Sequence, residues 1–310
     1  MFYEIFCSFF SVLAQDQESC VPQLVFSSNM TGDFEIYLID IPPVGELATE
    51  LVQLTNDEGT DQFPRWSPTG EFIAYDNADA DLVIIDDAGQ VIDQFIEPDT
   101  VDLSPTWNDL GTSIAFISSN GVEVVIGIYI PNLSENLNNF SPNLFHFAID
   151  DIRKNLPDWS PTGEEGGSLI ALEADWDGNS DIWTYNPATQ IRENLTKTDY
   201  QESAPAWSPD GSQIAYMSWE SGSSEIWILD IETRQTTNIT ESEMFASSPQ
   251  WSPDGEMIVF AGVANHDRGI DLDLYIMDAD GGNIRQITDF VGYESFPDWR
   301  PCNDTPIIDD

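Results

Sequence analysis

A motif built around tryptophan recurs six times along this 310-residue chain, and it constrains the fold more than any other feature. Its clearest copy reads PAWSPDGSQIAY, from Pro205 to Tyr216. The motif tryptophans follow one another at intervals of 41 to 52 residues. They are Trp66, Trp107, Trp159, Trp207, Trp251 and Trp299. A period in this range indicates a repeat architecture in which each unit is one supersecondary element.

Each repeat unit predicts four short strands separated by turns. The first strand contains Pro-x-Trp, and the Ser-Pro-Asp-Gly turn after it has a Pro that presets φ and a Gly that accepts a positive φ. A second strand carries an Ile-Ala-Tyr run, a third alternates apolar and aromatic residues, and a fourth ends in Leu-Thr or Ile-Thr. No segment shows the 3.6-residue period of a helix. The sequence therefore predicts an all-β, six-bladed β-propeller with four antiparallel strands per blade.

The motif P-x-W-S-P-D-G-x-x-I-A-F resembles the repeat of the TolB-like, WD-repeat-like propeller family over about residues 20–302. Two copies depart from this pattern. The unit at Trp107 has NDLG in its turn, and the unit at Trp159 has four additional residues there. The resemblance implies a single propeller domain over 20–302 and an interaction role in the cell envelope.

Both ends of the chain are predicted to share one blade. The chain opens on a second strand, whereas its last repeat is a first strand without a successor, so three N-terminal strands and one C-terminal strand close the ring. Cys20 lies four residues before Leu24 and Cys302 lies three residues after Trp299, so both map to the interrupted turn. We expect a Cys20–Cys302 disulfide to replace that turn in an oxidising compartment.

The first 14 residues are mostly apolar and end in small residues, which predicts a signal peptide and a secreted or periplasmic protein. This stretch is too short to span a bilayer, and no later segment is apolar enough. We therefore expect no membrane insertion. Residues 303–310 form an acidic C-terminal tail.

The charge of the chain is strongly negative, with 56 acidic and 9 basic residues and a formal net charge of −47. Nucleic acid is excluded as a partner because phosphate contacts need Lys and Arg. Such acidity favours basic partners and cations. It equally suits a protein that lives in high salt, where self-repulsion is screened. Both interpretations stay open.

Motifs for catalysis do not occur in the sequence. The two histidines, His146 and His266, are too few for a three-histidine metal centre, and neither a G-x-S-x-G nor a nucleotide-binding glycine motif is present. His146 lies in a strand-like run, where a structural role is expected, and His266 lies in a polar loop. We therefore predict a protein that is not an enzyme and requires no cofactor.

The loops from strand 2 to strand 3, and from strand 4 to the next strand 1, are expected at one mouth of the ring. They concentrate carboxylates and aromatic rings. Aromatic anchors inside a polar rim suit recognition of a protein or peptide, and the acidity favours a basic partner. The candidate contact residues are Trp176, Tyr200, Glu202, Phe245, Tyr293 and Glu294.

The segment DWDGNSD, residues 175–181, offers several close oxygen ligands that would suit calcium. The candidate ligands are Asp175, Asp177, Asn179 and Asp181. The same sequence is also typical of a tight turn between strands, and both interpretations stay open. The competing functions are a propeller that binds carbohydrate or a cation or acts on a polysaccharide, and a structural subunit of an extracellular assembly.

Overall fold

Every regular element of the structure is a β-strand. The structure is a computed structural model that describes residues 22–133, 145–148, 154–161, 169–240, 244–263 and 271–301. Its 24 strands form six sheets of four antiparallel strands each, so the predicted six-bladed β-propeller is confirmed. Across these ranges there is no helix with the length and apolar character needed to cross a membrane.

The strands follow one another blade by blade along the chain. Blade 1 begins with β1 (Gln23–Ser28), β2 (Glu35–Asp40) and β3 (Val52–Gln53), and blade 2 consists of β4 (Gln62–Trp66), β5 (Phe72–Asp76), β6 (Leu82–Asp86) and β7 (Val91–Phe95). Blade 3 consists of β8 (Val101–Trp107), β9 (Ile114–Ser119), β10 (Val124–Tyr129) and β11 (Phe145–Ala148), and blade 4 of β12 (Lys154–Trp159), β13 (Ile170–Ala174), β14 (Asp181–Asn186) and β15 (Ile191–Asn194). Blade 5 consists of β16 (Glu202–Trp207), β17 (Gln213–Ser218), β18 (Glu225–Asp230) and β19 (Thr236–Asn238), and blade 6 of β20 (Phe245–Trp251), β21 (Met257–Val263), β22 (Asp273–Asp278) and β23 (Arg285–Gln286). Finally, β24 (Glu294–Trp299) returns to blade 1.

Blade 1 is closed by strands from both ends of the described chain, as the repeat pattern predicts. β24 pairs antiparallel with β1, which places Leu24 opposite Trp299. The backbone N–H of Arg300 extends this pairing to the carbonyl oxygen of Gln23 at 2.9 Å. The Arg300 guanidinium also lies 4.7 Å from the ring centroid of Trp66 in blade 2. The closing strand is thus joined both to its own blade and to the next one.

The hydrophobic core is divided into six clusters, one at each interface between neighbouring blades. The Ile-Ala-Tyr run explains this division, because alternate residues of a strand face opposite sides. In blade 5, Ile214 and Tyr216 pack towards blade 4, whereas Ala215 shares a cluster with Trp251 of blade 6. A small side chain at this position leaves room for the indole of the next blade. The equivalent residues are Val25, Ala74, Ala115, Ala171, Ala215 and Val259.

Every first strand carries a β-bulge next to its proline. The residue before each proline has a φ between 49° and 56°, although none of these residues is glycine. They are Phe63, Ser104, Leu156, Ala204, Ser248 and Phe296. Proline has no N–H to offer a sheet ladder, and a bulge is one of the few places where a sheet accepts it.

The predicted Leu-Thr and Ile-Thr endings lie just beyond the fourth strands rather than inside them. In blade 1, β3 ends at Gln53, and the N–H of Leu54 donates to the Ile36 carbonyl oxygen at 2.8 Å. The N–H of Ile36 then donates to the hydroxyl of Thr55 at 2.9 Å. A threonine side chain thus continues the pairing where the assigned strand stops. The same contact is made by Thr196, Thr240 and Thr288.

Some sequence predictions concern residues outside the described ranges. The signal peptide at 1–14, the tail at 303–310 and the Cys20–Cys302 disulfide lie there, as does His266. These stay predictions. The backbone of His146 is described and pairs with Gly127 within blade 3.

Candidate functional site

One end of the propeller gathers two sets of loops: those between second and third strands, and those that lead into the next first strand. Backbone hydrogen bonds join the two sets across blade boundaries. The N–H of Asp61 donates to the carbonyl oxygen of Phe34, and that of Glu202 to Ser180, both at 2.8 Å. We call this face the mouth. Its fully described loops are 29–34, 54–61, 77–81, 96–100, 120–123, 175–180, 195–201, 219–224 and 287–293.

Carboxyl groups repeat from blade to blade beneath the mouth. In four of the six units an acidic residue lies five positions before the motif tryptophan, and each is at most 1% exposed. They are Asp61, Asp102, Glu202 and Glu294. Threonine hydroxyls lie among these groups. Thr55 donates to Glu35 at 2.5 Å, and the Thr288 hydroxyl donates to the carboxylate of Glu294.

Burial raises the pKa of these carboxyls towards neutrality or above. Desolvation raises the pKa of Asp61 and of Glu202 to about 7, and the pKa of Glu294 to about 8. The negative charge of Asp273 adds to the effect at Glu294. Near neutral pH, a carboxyl with such a pKa is protonated for much of the time, which lowers the free-energy cost of burying it.

The predicted contact residues differ in how far their side chains are exposed. Tyr200 is 44% exposed, whereas Phe245 and Tyr293 are half-buried. Contrary to expectation, Glu202 and Glu294 are at most 1% exposed, so their carboxyls do not lie on the open surface of the mouth, although Glu202 lines a cavity there. Each is the first residue of an inner strand, where the preceding blade's loop carbonyl binds its N–H and neighbouring blades cover its side chain.

Aromatic contacts involve two more of the predicted residues. The rings of Phe245 and Trp219 meet edge to face with centroids 6.2 Å apart, and Trp219 is 40% exposed. Trp176 instead packs edge-on against Trp183 at 4.9 Å, and the guanidinium of Arg192 lies 4.8 Å over its ring. Trp176 is therefore engaged within blade 4, while Trp219 presents an aromatic surface at the mouth.

A cavity of about 360 Å³ opens in the mouth between blades 4 and 5. Hydroxyls of Ser180 and Ser203 donate to the Glu173 carboxylate at 2.8 and 2.6 Å and hold it in the wall. An indole beside carboxylates provides what a cationic side chain binds best, a ring face and anionic oxygens. The residues that give the cavity this character are Glu173, Asp175, Asn179, Glu202, Ser203 and Trp219.

Side-chain amides bind two carboxylates of the predicted calcium loop, those of Asp177 and Asp181. The Asn194 side-chain amide donates to Asp177 and to Asp181, each at 2.7 Å. The N–H of Gly178, which has a φ of 104°, donates to the Asp175 carbonyl oxygen at 3.0 Å. These contacts fit the tight-turn interpretation of residues 175–181. The Asn179 amide donates to the Thr198 carbonyl oxygen at 3.0 Å.

The motif tryptophans line a second cavity, of about 220 Å³, at the end of the ring opposite the mouth. Its lining comes from all six blades, so it lies about the ring axis. The side chains of Asp158 and Asp298 accept the backbone N–H groups of Trp207 and Trp66, both at 2.7 Å, and Arg65 lies 3.7 Å from Asp298. These contacts join neighbouring inner strands, which fits an architectural role for the motif.

Sequence analysis missed several residues that the structure brings to the mouth. They are Glu35, Asp57, Asp61, Glu173 and Trp219. Part of the signal was present in the repeat. The acid five positions before the tryptophan and the threonine eleven positions before it each occur in four units.

Comparison with solved structures places this ring among known propellers. TolB from Acinetobacter baumannii is 21% identical with a TM-score of 0.70, covering 91% of this chain and 67% of that one. A protein assigned as TolB from Agrobacterium tumefaciens is 19% identical with a TM-score of 0.64, covering 89% and 91%. An oligogalacturonate lyase from Vibrio parahaemolyticus is 16% identical with a TM-score of 0.54, covering 86% and 74%. No curated protein sequence matches the chain.

At these identities the structural likeness shows the fold. The sequence itself provides a further match, because residues 194–308 fit the family model of the TolB beta propeller domain. That segment contains the three repeats with tryptophans at Trp207, Trp251 and Trp299. The match over residues 194–308 and the shared fold both relate this chain to TolB-like propellers.

Proposed function

We propose that this protein is a non-catalytic binding scaffold that recognises a basic segment of another protein at the mouth. The binding site is the cavity between blades 4 and 5, with Trp219 and Tyr200 as aromatic anchors. The scaffold works outside the cytoplasm, in the periplasm or the medium. The similarity to TolB and the apolar sequence at residues 1–14 support this location.

One observation carries the proposal: the exposed Trp219 ring stands beside carboxylates at a single cavity, and Tyr200 directly precedes Gln201 in its lining. Trp219 and Tyr200 are 40% and 44% exposed, although large aromatic side chains are usually covered. Glu173 and Asp175 lie in the same cavity wall. A Lys or Arg side chain that entered the cavity would be attracted both by the indole ring and by the carboxylates, while its aliphatic stem packed on the indole.

The burial of the titrating carboxyls supports a role without catalysis. Three groups whose pKa lies near neutrality, those of Asp61, Glu202 and Glu294, are at most 1% exposed. A general acid must come within hydrogen-bond distance of the group it protonates. Carboxyls enclosed between blades do not reach a bulky polymer, whereas the exposed aromatics reach a partner's surface.

Binding of labelled peptides to the full chain tests this function. A peptide with alternating Lys, Arg and aromatic residues should bind, and its acidic counterpart should not. Trp219→Ala should weaken binding about tenfold or more, as for an aromatic hot spot, and Asp175→Asn should weaken it several-fold. Val122→Ala, at a residue 76% exposed on another mouth loop, is the matched control and should bind as the wild type does.

Equal binding by the Trp219→Ala variant would exclude this cavity as the site. Binding of neutral oligosaccharides in preference to basic peptides would favour the carbohydrate-binding alternative, to which the lyase similarity also points. Cleavage of a polysaccharide by the purified chain would overturn the non-catalytic assignment.

A further inference from the structure

Three carboxylates converge at the mouth between blades 1 and 2, away from the cavity described above. Glu35 begins β2, Asp57 lies in the loop from β3 to β4, and Asp61 directly precedes β4. One oxygen from each lies within 4.8 Å of the others. They belong to two chain segments, the start of β2 and the loop at 54–61, so the cluster depends on the contact between this loop and blade 1.

Asp61 has no hydrogen-bond partner for either carboxylate oxygen, although its side chain is fully buried. The Thr55 hydroxyl also acts on Asp61, where it partly offsets the rise in pKa that burial causes, but its single proton goes to Glu35 at 2.5 Å. Buried polar groups are nearly always paired, and burying an ionised carboxylate without a partner is strongly unfavourable. The position of Asp61 therefore calls for a ligand that supplies positive charge.

Equivalent positions in other blades show how this chain usually satisfies such acids. Asp102 accepts the Thr100 hydroxyl at 3.0 Å in blade 3, and Glu202 accepts the Thr198 hydroxyl at 3.1 Å in blade 5. Asp57, nine positions before Trp66, occupies the position that Thr198 has relative to Trp207. The site beside Asp61 thus has a third carboxylate, that of Asp57, where blade 5 has a hydroxyl donor.

The three carboxylates favour a hard cation as their ligand. Carboxylate oxygens are the preferred ligands of calcium, which accepts six to eight oxygens in a flexible arrangement. Asp57 is exposed, which gives an ion access and leaves room for coordinating waters. Asp33 adds negative charge nearby and accepts the Gly59 N–H at 3.0 Å, which holds the loop in place.

We propose that Glu35, Asp57 and Asp61 bind one calcium ion, which joins the loop at 54–61 to blade 1. This site is distinct from the segment at 175–181, where the Asn194 amide binds the carboxylates of Asp177 and Asp181.

Calorimetric titration of the chelator-treated full chain with CaCl₂ tests the site, together with thermal unfolding at each ion concentration. The wild type should bind about one calcium ion and gain several degrees in melting temperature at saturation. Asp57→Asn changes an exposed residue, so the protein should fold, and it should bind at least tenfold more weakly. Asp177→Asn in the other acidic loop is the matched control and should bind as the wild type does.

Three results would overturn the proposal: no heat of binding with millimolar calcium, full binding by the Asp57→Asn variant, or loss of binding in the Asp177→Asn variant. A response to magnesium alone would overturn the assignment of calcium. Terbium luminescence provides a second measurement, because an ion at this site lies near aromatic residues of blades 1 and 2. It should fall with Asp57→Asn and persist with Asp177→Asn.

Discussion

Arg300 is one of only nine Lys and Arg residues in the chain, and it joins blade 1 to blade 2 by several contacts. Its guanidinium donates to Gln23 at 2.7 Å, to Asp87 at 2.9 Å and to the carbonyl oxygen of Gly70 at 3.1 Å. The same group lies over the ring of Trp66. The planar guanidinium of arginine can donate hydrogen bonds in several directions while it stacks on an aromatic ring, whereas the ammonium group of lysine cannot.

Arg300→Lys should therefore destabilise the ring by about 1–2 kcal/mol, because it removes directed hydrogen bonds and the stacking contact. Urea unfolding followed by tryptophan fluorescence measures this loss. The control is Arg234→Lys, since Arg234 forms an exposed ion pair with Glu193 at 2.8 Å and should change stability by less than about 0.5 kcal/mol. Equal effects of the two substitutions would contradict the stabilising role assigned to the contacts of Arg300.

Other features at the residue scale could not be predicted from the sequence. The positive φ of Phe63 and Phe296 has no local cause, because bulky residues disfavour that region. A proline inside a strand is compatible with a bulge, but the sequence alone does not say that the bulge falls on the residue before it. The rings of Phe63 and Phe296 lie 4.0 Å apart, so contacts between neighbouring blades accompany the conformation.

At the scale of strands and loops, the sequence predicted the elements better than the site. Strand order and ring closure follow from periodicity, because each repeat must cover the hydrophobic face of the next. The sequence could not decide between a calcium loop and a tight turn at residues 175–181, since adjacent residues in a loop need not point to one ligand. It also did not reveal that Glu202 and Glu294 are buried. The cluster of Glu35, Asp57 and Asp61 depends on contacts between two blades, which a local motif does not reveal.

The packing of the second strands gives a test at this scale. Ala215→Leu should destabilise the fold by about 1–3 kcal/mol, because the larger side chain enters the space filled by the indole of Trp251. Ala215→Val should cost less, since valine occupies the equivalent position at Val25 and Val259. Thermal and urea unfolding of the two variants provide the comparison. Equal stability of Ala215→Leu and the wild type would show that this position does not limit the packing.

The whole molecule should lose stability as the pH rises. Burial raises the folded-state pKa of Glu294 and Asp76 to about 8 and that of Glu202 to about 7, above the values of unfolded chains. Between pH 4.5 and 8 the folded state therefore binds more protons than the unfolded state. The contribution of these carboxyls to the free energy of unfolding is fully present below their pKa in the unfolded state. It is lost as the pH rises through their pKa in the folded state.

We expect a lower melting temperature at pH 8 than at pH 5.5, and added salt should reduce the difference because it screens the net charge of −47. Glu294→Gln should also reduce the difference, because it removes one titrating group while the Thr288 hydroxyl keeps an acceptor. The exposed Glu232→Gln is the control and should keep the wild-type difference. A melting temperature that rises from pH 5.5 to 8 in the wild type would contradict this prediction.

The pairing of β1 with β24 also has a consequence for the order of folding. Five blades are built from consecutive hairpins, so each can form from neighbouring segments soon after they leave the ribosome. Blade 1 must wait for Glu294–Trp299, which lie almost the whole described chain away from β1, and closing so long a loop is entropically costly. Until then β1 exposes an unpaired strand edge, the kind of surface that promotes aggregation. The last strand synthesised in the described ring therefore both completes the fold and covers its most vulnerable edge.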